Sequence, residues 1–300
     1  MTIHVIGNVA IDETLRVDRM PRPGESILAR SRTRDLGGKG ANQAIVLSRA
    51  GLDVRLVAAV GNDDAAAWIR RELTDEGLQT GGLVALECAS DSSLIVLDER
   101  AENMIITTRT AAGGLDPARA MSALATADSG DTLLVQGNLA PDLTQRLVAF
   151  GRERGLTTVF NPSPVDPAFA GMLSLVDVVV LNRTEALALT GRDDPADAAY
   201  DLRARGVGSV VVTLGADGAL LLDRTGPHRV PAAPVIPIDT TGAGDTFIAI
   251  LIAAISFVGQ IDTRCVAAAN VAASVTASRL GTRAAFPLPA EIRAILAHCR

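Results

Sequence analysis

Asp239-Thr240-Thr241-Gly242-Ala243-Gly244-Asp245 runs without a break into Thr246 and the apolar segment 247–258. Glycines at the start of a helix let backbone N–H groups close on an anion, and the helix dipole adds positive potential there. A phosphate is stabilised at such a place. A carboxylate at Asp245 repels that phosphate unless it takes a proton from a nucleophile attacking the phosphorus. The stretch therefore points to phosphoryl transfer with Asp245 as general base. An ordinary glycine-rich loop followed by a first-turn aspartate has the same letters, because acidic groups favour helix N-termini.

On either side of this stretch the chain alternates. Short β-branched runs recur at 4–6, 54–60, 132–135, 157–160, 176–181 and 209–214. Helix-like segments lie between them at 41–50, 64–76, 117–127, 141–154, 183–190 and 196–205. Such alternation predicts an α/β fold with a doubly wound, mostly parallel sheet. Two segments break it: about 13–36, charged and carrying Pro21 and Pro23, and about 90–109, where the apolar runs 94–97 and 104–106 flank 98–103 as in a hairpin. Extended excursions from an α/β core predict a small β-lid, which suits a reaction that must exclude water. An edge extension or a dimer-forming sheet has the same pattern. With no linker, repeat or low-complexity segment, 1–300 reads as a single domain.

The chain carries 28 Lys+Arg against 34 Asp+Glu, a net charge of −6, with no long basic run. That balance argues against a nucleic-acid or membrane-surface partner and for a small molecule. One Trp, one Tyr and six Phe leave few faces on which bases could stack. Cys88, Cys265 and Cys299 form neither a disulfide framework nor a zinc pattern and fit a reducing cytoplasm. No secretory leader is visible, and the apolar run 247–258 is short for a bilayer span.

Other candidate sites lie on loops. Gly37-Gly38-Lys39-Gly40-Ala41-Asn42 precedes a helical run but is no Walker A loop, since Thr33 and Gly40 stand where Gly and Ser/Thr are needed. It fails the dinucleotide pattern at Gln43. Its amides, with Lys39 and Asn42, suit a polyhydroxylated ligand; a flexible surface loop is the plain alternative. Asn182-Arg183-Thr184-Glu185 follows a strand, at the sheet edge where α/β ligands bind, and Asn182 and Glu185 suit hydrated Mg²⁺ near polyphosphate. Thr213-Leu214-Gly215-Ala216-Asp217-Gly218 suits contact with a nucleotide, or equally a hairpin turn. His4, His228 and His298 are scattered, without metal-ligand spacing.

In this order, Gly7 to Asp12, GGKGAN at 37–42, NPSP at 161–164, NRTE at 182–185, TLGADG at 213–218 and DTTGAGD at 239–245 resemble the ribokinase-like (PfkB) carbohydrate kinase family over essentially the whole chain. The resemblance implies a ribokinase-like sheet with a β-lid. It also implies an ATP-dependent kinase acting on a primary hydroxyl of a small pentose or hexose. It places Asp12, Gly38, Lys39, Asn42 and Asn138 at the sugar. Asp245 becomes the catalytic base, with Gly242, Ala243 and Gly244 as the anion hole. Asn182, Thr213, Gly215, Gly218 and Asn270 match nucleotide-binding positions, and Glu185 matches the residue that organises Mg²⁺ through water. A monovalent-cation site would use Asp239, Thr241, Thr276, Arg279 and Gly281. The family's lid often pairs across a dimer, so a homodimer is expected.

Three departures stand out. Ala10 replaces a sugar-binding Asn of ribokinases, Asn138 replaces a Glu that contacts the sugar, and Ala285 replaces a serine of the cation site. Losing an amide and a carboxylate removes partners for ribose hydroxyls, which points away from ribose. K⁺ becomes permitted rather than required. A nucleoside kinase is the alternative within the class, since Ala10 leaves space. A non-catalytic sugar- or nucleotide-sensing module is the alternative from another class, opposed by the intact Asp245. A redox enzyme using NAD lacks the dinucleotide fingerprint.

Overall fold

The computed structural model describes residues 1–99 and 103–299. In chain order the elements are β1 (Thr2–Ile6), β2 (Ala10–Arg16), β3 (Ser31–Gly37), α1 (Lys39–Arg49), β4 (Asp53–Gly61), α2 (Asp64–Asp75), β5 (Leu83–Leu86), β6 (Ser92–Leu97), β7 (Asn103–Thr107), α3 (Thr110–Gly113), α4 (Pro117–Ala123), β8 (Thr132–Gln136) and α5 (Pro141–Glu153). They continue with β9 (Thr157–Asn161), β10 (Val178–Asn182), α6 (Arg183–Thr190), α7 (Pro195–Ala204), β11 (Ser209–Thr213), β12 (Ala219–Asp223), β13 (Gly226–Val230), α8 (Ala243–Val258), α9 (Thr263–Ala277) and α10 (Pro289–Ala297).

Among the described residues, nine strands pair in the order β13-β12-β11-β10-β9-β8-β1-β4-β5. They are parallel from β5 to β11 and antiparallel at β12 and β13. Alternation along each strand sends its side chains into two cores. Val178 and Val180 of β10 and Val54, Leu56, Ala58 and Val60 of β4 join α1, α2, α8, α9 and α10 on one face. Val179 and Leu181, with Val57 and Ala59, join α4, α5, α6 and α7 on the other. This is the doubly wound sheet that the β-branched runs predict, since a parallel strand is covered on both sides.

Several boundaries differ from the reading of the sequence. The helix expected to reach residue 127 ends at Ala123, because Leu124 and Ala125 leave it through i→i−3 hydrogen bonds. The strand expected from 176 begins at Val178, since Asp177 turns its carboxylate to the Thr158 amide and hydroxyl. The apolar run 247–258 lies within α8, and among the described residues no helix is long and apolar enough to cross a membrane.

Four strands form a separate small sheet in the order β3-β2-β6-β7, from the segments expected to leave the core. β2 and β6 run parallel, and β2–β3 and β6–β7 antiparallel. The expected turn between β6 and β7 falls partly on residues 100–102, which lie outside the described residues. Asp12, Thr14 and Ile95 share the inner face, and alternation puts Leu94, Met104 and Ile106 on the outer face, all exposed. Ile11 of β2 and Leu36 of β3 are buried in the core of the body, and two polar or ring contacts add to that join. Arg283 donates its main-chain N–H to Asp35 (3.2 Å) while its guanidinium meets Asp35 (3.2 Å) and Glu72 (2.6 Å). The Arg34 guanidinium lies 4.3 Å above the Trp68 ring of α2.

Candidate active site

The carboxyl ends of the parallel strands carry a row of polar residues. Gln136 ends β8, Asn161 ends β9, Asn182 ends β10 and Thr213 ends β11, with Gln136 beside Asn161 and Asn182 beside Thr213. Strand order reverses at β1, between β4 and β8, and open α/β sheets take their ligands off the carboxyl edge at such a point.

Two loops converge on that edge. At the end of β3, Gly37 lies so close to Asp12 that a Cβ there would stand 2.1 Å from the carboxyl carbon. Gly38 caps α1 with φ 92°, a conformation L side chains rarely adopt, and packs on Val9 and Ala10. The turn starts α1 at Lys39 and brings Asn42 and Gln43 to the N-terminus of α8. There Gly242 is the cap, left-handed at φ 76°. Ala243 donates its N–H to the Thr240 carbonyl at 3.2 Å. The amides of Gly242, Gly244 and Asp245 have no hydrogen-bond partner among the described residues and stand where the helix dipole is positive. Asp245 sits in the first turn, 7% exposed. It accepts from Asn42 Nδ2 at Oδ2 and from Gln43 Nε2 at Oδ1, both at 2.9 Å.

Asp245 lines one hollow, and a second is lined by Asp12, whose carboxyl feels the Asp245 charge. A cleft of about 70 Å³ is lined by Lys39, Asn161, Asn182, Glu185, Thr213, Gly244 and Asp245. Six of these were expected at the site, drawn from four separate segments of sequence. Lys39 has no carboxylate within ion-pair distance among the described residues, so its charge is available to an anion. Glu185 accepts from the Asn182 amide through Oε2 (2.9 Å) while Asn182 Oδ1 accepts from the Glu185 amide (2.8 Å), a capping box at the start of α6. That leaves Glu185 Oε1 open. A single carboxylate of this kind fits Mg²⁺, which keeps several waters and leans on substrate phosphates.

The second hollow, about 280 Å³, lies between the small sheet and the 239–241 and 280–282 segments, with Asp12, Thr14 and Ile95 on one side and Asp239, Thr241 and Gly281 on the other. Burial pushes the Asp12 carboxyl up to about 6; the Ser93 hydroxyl and Lys39 oppose this, while Asp35 and Asp245 add to it. Asn42 Oδ1 and Asn138 Oδ1 are buried acceptors without a partner. Unpaired buried acceptors call for donors, which a polyol has in number. Asn138 follows the end of β8 and lines neither hollow.

The remaining expected residues divide. Gly215 and Gly218 sit in the turn joining β11 to antiparallel β12, so the hairpin reading of that motif holds as well. Asn270 gives its amide to Val230 and Pro231 carbonyls, both at 3.0 Å, and a Cβ on Gly218 would stand 2.1 Å from the same Val230 oxygen. Both shape the 230–232 segment and stay out of the cleft. Asp239 accepts from the Thr241 amide (2.9 Å) and the Gly281 amide (3.1 Å). Those three come together, whereas Thr276 bonds the Thr246 hydroxyl (2.9 Å) and Arg279 pairs with Glu291 (2.5 Å). His4 is a buried partner of Asp131, with no part in the site. Among the described residues no three His, Cys, Asp or Glu cluster as metal ligands. The site's unanticipated members are Asn161, Gln43 and Gln136. Asn161 and Gln136 had a signal, a polar residue closing an apolar strand run, and Gln43 had none.

The edge, the amide-rich helix start and the buried carboxylate define a phosphoryl-transfer site. The model of the pfkB family carbohydrate kinases matches residues 2–289. The ribokinase of Staphylococcus aureus is 27% identical over 298 residues, covering 97% of this chain and 98% of that one. The deoxyribokinase of Salmonella typhi is 30% identical, covering 83% of each. The crystal structure of ribokinase from Thermotoga maritima superposes with a TM-score of 0.90 at 27% identity, covering 99% of both chains. The chain belongs to the pfkB family of carbohydrate kinases and has the ribokinase fold. It is an ATP-dependent sugar kinase.

Proposed function

We propose that the whole chain works as one kinase domain that moves the γ-phosphoryl group of ATP to a primary hydroxyl of a small carbohydrate, a pentose or hexose, with Asp245 as general base. One observation carries the reading. Asp245, buried and held through both oxygens, lines a cleft with Lys39, Asn182 and Glu185 at a helix N-terminus where the Gly242, Gly244 and Asp245 amides are free, and it is close enough to Asp12 of the second hollow to raise that carboxyl's pKa.

The sugar lies against Asp12, with Asn42 and Asn138 as further acceptors. Asp245 takes the proton of the attacking hydroxyl as its oxygen forms a bond to the γ-phosphorus. The amides of Gly242, Gly244 and Asp245 receive the phosphoryl oxygens, joined by Ala243 when its turn loosens, and Lys39 adds a positive charge beside them. Asn182 and Thr213 lie along the nucleotide, with Gly215, Gly218 and Asn270 forming the wall behind it. Glu185 would hold hydrated Mg²⁺, which when bound would supply neutralising charge beside the phosphates. No step is assigned to a monovalent cation. K⁺ would be held by main-chain oxygens beside Asp239, Thr241 and Gly281, and exchange of KCl for tetramethylammonium chloride tests it.

The small sheet acts as a lid over the sugar, and two copies pair through its exposed apolar face. The three free cysteines suit a reducing cytoplasm. The test is ADP release with D-ribose, 2-deoxy-D-ribose, D-fructose, inosine and adenosine as acceptors. A sugar is expected to give the highest rate, and Asp245→Asn to lower it about a thousandfold or more. Near-normal turnover in that variant overturns the assigned base.

A further inference from the structure

Behind Asp245 runs a short polar chain that solvent does not reach. Gln43 and Gln136 are both 0% exposed. Gln43 Nε2 donates to Asp245 Oδ1 at 2.9 Å, and Gln136 Nε2 donates to Gln43 Oε1 at 2.7 Å. The direction of the chain is set by its end. An ionised carboxylate only accepts, so Gln43 must turn its NH₂ to Asp245 and its carbonyl to Gln136, which must then offer its own NH₂. With Asn42 on the other oxygen, the plane of the Asp245 carboxylate is fixed from two sides.

The chain is also unsatisfied at its far end. Gln136 Oε1 is buried without a partner, and a Cβ on Gly7 would stand 1.9 Å from it. Two leucines of similar volume would fill this space with no orphaned oxygen, so packing alone does not account for a pair of amides. Such local costs concentrate at functional sites. We infer that Gln43 and Gln136 are positioning residues that aim the Asp245 carboxylate at the acceptor hydroxyl, through the contacts Gln136 to Gln43 to Asp245. Neither touches the reacting atoms. The inference rests on the reading of Asp245 as the base.

The experiment compares Gln43→Leu, Gln43→Glu, Gln136→Leu and Asp245→Asn with the wild type, using ATP and whichever acceptor of the five above gives the wild type its highest rate. Circular dichroism melts establish that each variant is folded. In Gln43→Leu, kcat is expected to fall about ten- to a hundredfold while KM for ATP stays within about twofold, since misaimed groups lose rate without losing the nucleotide. Gln136→Leu shows a smaller fall of the same kind. In Gln43→Glu the introduced carboxylate faces Asp245 as a second acceptor at pH 8.5 but donates once protonated, so its kcat relative to wild type rises as pH falls to 6. Asp12 and Lys39, the other charged groups around Asp245, remain in the variant, so they cancel in that ratio. Folded Gln43→Leu with wild-type kcat, beside an inactive Asp245→Asn, overturns the inference and leaves the base in place. An active Asp245→Asn overturns the base reading itself. A flat Gln43→Glu ratio across pH overturns the positioning role even where Gln43→Leu fails to fold.

Discussion

In the large sheet, each strand from β4 to β11 is apolar on both faces and covered by helices on both sides. In the small sheet one face brings Asp12 and Thr14, beside Ile95, to a hollow of the site, and the other leaves Leu94, Met104 and Ile106 exposed at the outer strands. The first arrangement is held by packing and has one solution. The second is anchored at its base by Ile11 and Leu36, which are buried in the core, and by the Arg283 cluster and the Arg34–Trp68 stack, while its far strands β6 and β7 keep exposed apolar side chains. On the reading proposed above, stability belongs mainly to the large sheet and contact with the substrate to the small one.

The sharpest way to break that division is in the large core. Leu47→Ala in α1, fully buried, is expected to cost about 3 kcal/mol in urea unfolding. A loss under about 1 kcal/mol would mean that the core is not where the fold is held. Next comes Asp12→Asn on the inner face of the small sheet, which should lower kcat/KM for the sugar about a hundredfold. The same change should stabilise the protein at pH 7.5. The carboxyl goes from 3.8 to about 6 on folding, so the folded chain binds the proton more tightly. Wild-type stability therefore falls as pH rises from near 4 to about 6 and stays lower above it. A neutral amide avoids that loss, about 3 kcal/mol at most, and thermal melts at pH 4 and 7.5 measure it. In the wild type, kcat/KM for the sugar should drop about tenfold per unit once pH is below about 6, as Asp12 gains its proton. A profile level from pH 7 to 5 would remove Asp12 from sugar binding.

Arg283→Met removes one of the joins between the small sheet and the body and leaves Asp35 and Glu72 without their shared cation. The expected cost is about 1–2 kcal/mol in unfolding, with a several-fold rise in sugar KM. An unchanged KM would mean that the small sheet keeps its place by other means. The smallest effect on stability is expected from Ile106→Ser on the outer face, within about 0.5 kcal/mol. It should still convert dimer to monomer in sedimentation, and an unaltered mass would show that this face is not the pairing surface.

The same contrast explains what the sequence could tell. Strands β1, β4, β8, β9, β10 and β11 are legible because a buried parallel strand must be β-branched and apolar throughout. β3, Ser-Arg-Thr-Arg-Asp-Leu-Gly, has no such signature, since most of its residues are exposed. α9 went unread because its Ala-rich stretch has no polar stripe to mark a period. In the site, Lys39, Asn182, Glu185, Thr213, Gly244 and Asp245 were readable because each sits in a local turn motif next to a strand or helix end. Gln43 and Gln136 were not: their meaning comes from hydrogen bonds spanning 202 and 93 residues, which no local pattern encodes.

The Arg34–Trp68 stack has a spectroscopic consequence. The chain has one tryptophan, and the group lying over its ring belongs to the small sheet while the ring belongs to α2. Intrinsic fluorescence excited at the indole thus reports the separation of the two sheets from a single known position. If the small sheet closes over a sugar as proposed, the rate of closure and its order relative to nucleotide binding can be followed by stopped flow on the native protein, with no label attached.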